Sequence, residues 1–183
     1  MNLIPTAIKG LFIAETDSIS DHRGTFSRLF CERDLADAIG SRKIVQVNRS
    51  LTFSSGTVRG MHYQNTPHLE MKLVRCMQGR ILDIAIDIRA GSPTFLQWHA
   101  EELSPKNSRM SIIPEGFAHG FQALEGDSEL LYLHTNFYKP ESECAILYSD
   151  PRLAISWPLP TINLTDRDQR CPKLSHDFCG IEV

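Results

Sequence analysis

The nine residues "ILDIAIDIR" (81–89) constrain the fold more than any other stretch of the chain. Leu82, Ile84, Ile86 and Ile88 share one parity, and Asp83, Ala85, Asp87 and Arg89 share the other. Alternation with a period of two is the signature of a strand; a helix would scatter both sets around its circumference. The pattern predicts a half-buried antiparallel strand, ended by the turn "AGSPT". Shorter strands are expected at 10–16, 44–50, 71–77, 97–103, 109–113, 119–124, 129–136 and 144–148. The stretch "RGMHYQ" (59–64) reads as part of the same sheet system. Turn-forming stretches punctuate them: "PKN", "PEG", "EGD" and "KPES". Helix is scarce. "CERDLADAIG" (31–40) sets Leu35, Ala38 and Ile39 at helical spacing, with Gly40 as a natural terminator. A second helical turn is expected near 165–170, and "SHDFCGIEV" (175–183) fits neither period. Many short strands with frequent turns predict an all-β, jelly-roll type barrel with a few short helices.

Whole-chain properties narrow the function. A length of 183 residues fits one domain, 1–183. The net charge of −3 argues against a nucleic-acid binder, which is normally basic. No run of about 18 apolar residues exists, so no membrane span is expected. The N-terminal "MNLIPTAIKGLFIAETD" is broken by Pro5, Lys9 and Gly10 and does not read as a signal peptide. The five cysteines, Cys31, Cys76, Cys144, Cys171 and Cys179, contain no CxxC pair, which disfavours a zinc ribbon and a disulfide framework. They read as reduced thiols of a cytoplasmic protein.

Polar chemistry concentrates in a few places. "RGMHYQ" places Arg59, His62 and Gln64 together, and Lys72 follows ten residues after His62 in "MKLVRC". His68, His119 (in "PEGFAHGF") and His134 are the other histidines of interest. Tyr132 and Tyr138 sit in "LLYLHTNFYKP", and "LTDRD" places Arg167 and Asp168 after a chain reversal. Taken singly, each has an ordinary structural explanation: a hydrogen-bonded barrel histidine, a half-buried tyrosine with a wet hydroxyl, solvated charges on a helical turn.

Together they resemble the dTDP-4-dehydrorhamnose 3,5-epimerase family of cupin-like barrels. The resemblance runs through "DHRGTF" (21–26), "QVN" (46–48), "RGMHYQ", "KLVR" (72–75), "GSPTF" (91–95), "IPEGFAHGF" (113–121), "FYKPESE" (137–143), "DPRLAISWP" (150–158) and "LTDRD" (164–168). It implies removal and return of a proton on carbon next to a sugar ketone. Such a reaction needs a base on one face, a stabiliser at the ketone oxygen and an acid on the other face. By resemblance, His62 is the base, Asp168 its carboxylate partner, Lys72 the cation at the developing enolate oxygen and Tyr132 the acid. Arg59, His119 and Arg23 match ligand-binding positions, the arginines suiting a diphosphate. Tyr138 matches the residue that stacks on the base, and Gln46, Asn48, Glu143 and Arg167 match further binding positions. The segment 21–28, with Arg23, Phe26 and Arg28, is expected to reach a neighbour's site, which implies a homodimer. The implied partner is a nucleotide-diphosphate sugar, in deoxysugar biosynthesis for cell-surface polysaccharide. No cofactor and no metal are implied.

The chain departs from the family pattern at four positions. Arg28 stands where glutamate is usual, Val47 for aspartate, Leu133 for lysine and Glu70 for glutamine, and none is expected to touch the base, the acid or Lys72. Arginine is donor-only and cannot accept from a thymine ring N–H, whereas cytosine and guanine present acceptors. A CDP- or GDP-linked 4-keto sugar, inverted at one centre, is therefore an alternative. Two others keep the fold: a sugar 3,4-ketoisomerase, and a metal cupin using His62, Glu70 and His119, although Gln64 fills the place of the second histidine in the usual His-x-His pair. A catalytically dead sugar-binding module is the last.

Overall fold

The computed structural model describes all 183 residues. Thirteen strands form: β1 (Asn2–Pro5), β2 (Phe12–Glu15), β3 (Ser18–Asp21), β4 (Gly24–Ser27), β5 (Gln46–Thr52), β6 (Val58–Gln64), β7 (Lys72–Gln78), β8 (Ile81–Asp87), β9 (Trp98–Leu103), β10 (Arg109–Ile113), β11 (Phe117–Ala123), β12 (Ser128–His134) and β13 (Glu143–Ala145). One sheet has the order β1-β2-β10-β7-β12-β5 and the other β13-β6-β11-β8-β9, while β3 and β4 make a separate hairpin. The two larger sheets face each other. Val74, Cys76, Ile113 and Leu130 from the first meet Ile81, Ala85, Leu103, Phe117 and Phe121 from the second in one core. This is the expected all-β barrel. No helix is long and apolar enough to cross a membrane.

The strand β8 is antiparallel to both neighbours, β11 and β9, as its alternation predicts. It is not half-buried. Ile84, Ile86 and Ile88 face away from the barrel and pack under Ile146, Leu153 and Ile181 of the C-terminal segment. Burying each such isoleucine contributes about 1.5–3 kcal/mol. The opposite parity faces inward and is also buried, including Asp83 and Asp87. A carboxylate is tolerated there only with partners. Asp83 Oδ1 is 2.6 Å from His119 Nε2. Asp87 accepts from Arg89, Ser92 and Thr94. Burial pushes the Asp87 carboxyl up, but those hydrogen bonds outweigh it and hold it at about 2.

The other expectations hold to within a few residues at most ends. The 144–148 strand is only Glu143–Ala145, and β1, β3 and β4 were not expected from the sequence. Each is four residues long; β3 is wholly exposed and β4 nearly so, leaving no apolar alternation to read. The helix expected over 31–40 contracts to α1 (Ala36–Ile39), preceded by turns. Gly40 ends it at φ +60, its N–H returning to the Ala36 carbonyl. The second helix, α2 (Asp166–Gln169), is capped by Thr165, whose side chain accepts from the Asp168 N–H. At the C-terminus a bridge joins Ile181 to Arg89.

One close approach sets the site. A Cβ on Gly60 (φ +123) would lie 2.5 Å from Gly120 Cα and 2.8 Å from the His119 carbonyl. Only glycine lets β6 and β11 come this near. Two residues later His62 lies directly opposite His119.

Candidate active site

A cavity of about 790 Å³ opens between the sheets. Side chains of both sheets line it; on β6, Arg59 and His62 both reach it although their parities differ, because the β6–β11 register shifts between them. Asn48 and Ser50 come from β5, Arg59 and His62 from β6, Lys72 from β7, His119 and Phe121 from β11, and Tyr132 and His134 from β12; Asn163, Thr165, Arg167 and Asp168 close one side. A side chamber of about 150 Å³ shares Asn48, His62, Lys72, His134 and Glu143 with it and adds Gln46, Glu70 and Tyr138.

His62 Nε2 lies 2.7 Å from Asp168 Oδ1. The carboxylate can only accept, so Nε2 carries the hydrogen and Nδ1 keeps the lone pair of the neutral ring. Asp168 is buried and anchored through its own N–H to Thr165 Oγ1, so the α2 cap fixes the partner of the histidine. Burial lowers the His62 pKa below 6.5; the Asp168 hydrogen bond and charge oppose this, while the charges of Arg167 and Lys72 add to it.

Tyr132 enters from the other sheet. Its hydroxyl is 3.3 Å from Ser50 Oγ, and its ring meets His119 edge-on at a centroid distance of 6.3 Å. Burial pushes its phenol well above the ordinary value of 10. It therefore stays a proton-bearing group across the neutral range. A nitrogen base and a phenolic acid thus stand on opposite sheets of one cavity.

Lys72 Nζ is 3.1 Å from Glu70 Oε1 and 3.5 Å from the His62 carbonyl. The expectation that Glu70 touches no catalytic candidate is overturned: the loop before β7 turns its carboxylate back onto the lysine two residues on. Its other oxygen is 2.7 Å from His134 Nδ1. The His134 contact has no sequence signature, because it depends on the register that sets Lys72 opposite His134.

The cationic groups divide into two kinds. Arg167 is paired with Glu143 through two bonds of 2.7 Å, and Glu143 also accepts from the Tyr138 hydroxyl at 2.7 Å. Burial pushes the Glu143 carboxyl up, but the bonds from Arg167 and Tyr138 outweigh it and hold it low. The Tyr138 N–H donates to Gln46 Oε1 at 3.2 Å. Arg59 has no carboxylate partner; it donates only to Thr52 Oγ1 and the Leu51 carbonyl, each at 3.2 Å. A guanidinium lining a cavity without its own anion is suited to bind one from solution.

Arg23, Phe26 and Arg28 do not join the cavity within the chain. Arg23 pairs with Asp21 at 2.6 Å, Arg28 with Asp34 at 2.9 Å, and Phe26 is 73% exposed on the hairpin. The metal-cupin alternative needs His62, Glu70 and His119 to converge. Each is engaged with a different partner, and no three His, Cys, Asp or Glu side chains converge on a common point.

Comparisons with known proteins place the chain in a family. Residues 5–176 match the family model described as dTDP-4-dehydrorhamnose 3,5-epimerase. The chain is 42% identical over 169 residues to the dTDP-4-dehydrorhamnose 3,5-epimerase of Shigella flexneri, covering 92% of this chain and 93% of the relative. The chain belongs to this family. It is therefore an isomerase-class enzyme on a cupin-type barrel. A crystal structure of dTDP-6-deoxy-D-glucose-3,5-epimerase from Legionella pneumophila, in complex with dTDP-4-keto-L-rhamnose, superposes with a TM-score of 0.91 at 38% identity, covering 100% of this chain and 98% of that one. The dTDP-4-dehydrorhamnose 3-epimerase of Streptomyces niveus is 35% identical over 170 residues, covering 92% of this chain and 82% of the relative.

Proposed function

We propose that this protein inverts C3, C5 or both of a dTDP-linked 4-keto-6-deoxyhexose in deoxysugar biosynthesis. The observation that carries the reading is the His62–Asp168 pair on one wall of the cavity and the Tyr132 phenol on the other. His62 Nδ1 takes the proton from the carbon next to the C4 ketone. The ring becomes an imidazolium, favoured by Asp168, and the C–H electron pair moves into an enolate. Lys72 stabilises the negative charge on the C4 oxygen. Tyr132 gives its hydroxyl proton to the opposite face of the carbon and is reprotonated from the Ser50 side or from solvent. The His62 imidazolium then releases its proton to solvent, so the centre is inverted, both groups are restored and no net proton is consumed.

Arg59, free of any carboxylate, is suited to the diphosphate, with His119 lining the same cavity. Tyr138 stacks on the base, held by Gln46 and Glu143, and Asn48, Glu143 and Arg167 complete the binding wall. The hairpin β3–β4 leaves Ile19 and Phe26 largely exposed. We read it as the arm that carries Arg23, Phe26 and Arg28 into the site of a second copy in a homodimer. Five free thiols support residence in the reducing cytoplasm.

The donor-only Arg28 favours a second reading, in which the base is cytosine or guanine rather than thymine. Turnover of dTDP-4-keto-6-deoxy-D-glucose and of its CDP and GDP counterparts, with the product configuration read by NMR, tests both. Preference for the dTDP sugar supports the first reading. Preference for a CDP or GDP sugar replaces it with the second, and turnover of none overturns both.

A further inference from the structure

The Glu70 carboxylate holds two cavity groups at once. Oε1 is 3.1 Å from Lys72 Nζ and Oε2 is 2.7 Å from His134 Nδ1. His134 Nε2 in turn lies 3.3 Å from Asn48 Nδ2. The four groups span three adjacent strands and a loop, and all four line the side chamber. Both ends of the chain, Lys72 and Asn48, also line the main cavity. We propose that Glu70 is a positioning residue for the epimerisation, a clamp that fixes the Lys72 ammonium and, through His134, the Asn48 amide. This rests on the reading of Lys72 as the group that stabilises the enolate.

The physical case has three parts. A lysine ammonium rides on a flexible four-carbon stem and needs an anchor to hold one direction. The same cavity is lined by Arg59 and Arg167, so an uncompensated ammonium would be driven away from them. Glu70 supplies both anchor and compensating charge, and it is nearly buried, where such a pair is least screened. The contact with His134 also selects a tautomer. The Asn48 amide donates, so Nε2 accepts and Nδ1 carries the hydrogen given to Glu70. A neutral ring then stands directly opposite Lys72 in the β12–β7 register, where an imidazolium would repel it. Burial pushes the Glu70 carboxyl up, but the His134 bond and the Lys72 charge outweigh it and keep it ionised.

The test is steady-state kinetics on the full chain with whichever nucleotide sugar it turns over. Glu70→Ala lowers kcat on the order of 10- to 100-fold while KM stays within about threefold, because the loss falls on the transition state. Glu70→Gln keeps one acceptor for Lys72 and returns kcat to within about fivefold of wild type. Adding His134→Ala to Glu70→Ala costs less than about twofold more, since both act through one network. An unchanged kcat in Glu70→Ala, a loss confined to KM, equal losses in the Ala and Gln variants, or additive losses in the double variant would each overturn the proposal. Imidazole ¹⁵N shifts read the clamp without turnover and with no variant. A neutral His134 ring protonated at Nδ1 supports it; a ring protonated at Nε2 contradicts it. A wild type that turns over no nucleotide sugar but shows the Nδ1 tautomer overturns the proposed function and leaves the clamp standing.

Discussion

His62 and Asp168 are 106 residues apart in the chain and 2.7 Å apart in space. The first sits on the inner parity of β6, and the second on a four-residue helix whose start is fixed by Thr165. The pair does two things. It leaves Nδ1 as the ring's only basic nitrogen, and it places a buried negative charge behind the ring that becomes positive in the proposed reaction. The geometry is that of a catalytic histidine with a carboxylate orienter.

Replacing Asp168 with Asn keeps the shape and removes the charge. The expected result is a kcat lower by roughly 10²- to 10⁴-fold with little change in melting temperature. Since Asp168 raises the His62 pKa, the acid limb of the pH profile also moves further down. Activity within about threefold of wild type would remove Asp168 from the mechanism.

The pH dependence follows from two directions of shift. His62 must be neutral to act as base, and burial holds its pKa below 6.5. Activity therefore rises with pH through a limb centred below 6.5 and is flat above it. Tyr132 is pushed upward, so no loss of the acid is expected up to about pH 10. The stability sign is the same. A folded-state pKa below the unfolded value of 6.5 means the unfolded chain takes up the proton first. This contribution is fully present above pH 6.5 and is lost as pH falls from there through the folded pKa. Rate and urea-unfolding profiles between pH 5 and 10 measure both.

Tyr132→Phe removes the proposed acid and leaves the proposed base. Inversion is expected to fall about 10²- to 10⁴-fold, while exchange of the abstracted proton with solvent continues on the His62 face. NMR of the recovered sugar in D2O separates the two rates. A parallel loss of exchange and inversion would show that the phenol takes part in abstraction.

Gly60→Ala tests the packing that aligns His62 with His119. Its methyl would sit 2.5 Å from Gly120 Cα at φ +123, against backbone atoms that cannot rotate away. A loss on the order of 3 kcal/mol or more is expected, or failure to fold. Thermal melting of the variant beside wild type gives the answer.

Much of this was readable from residues alone. Alternation in 81–89 predicts the barrel, because parity along a strand is a local property. The Gly40 end of the first helix and the helical turn near 165–170 are legible for the same reason. What stays hidden depends on chain segments far away. The cover over Ile84, Ile86 and Ile88 comes from residues beyond 145, so the strand reads as half-buried when both its faces are covered. Asp83 looks like a solvent-side acid until the β11–β8 register brings His119 to it. Glu70 and His134 lie 64 residues apart and show their pairing only in space. The expected roles of Arg23, Phe26 and Arg28 rest on family resemblance alone, since within one chain they touch nothing in the cavity.

Deuterium incorporation into dTDP-4-keto-6-deoxy-D-glucose, with wild type and His62→Ala compared in D2O, addresses the base assignment. Wild type should place deuterium at C3, C5 or both, and His62→Ala should place none above the uncatalysed background while still binding dTDP. Exchange by His62→Ala at a rate near wild type would contradict the assignment of His62 as the base.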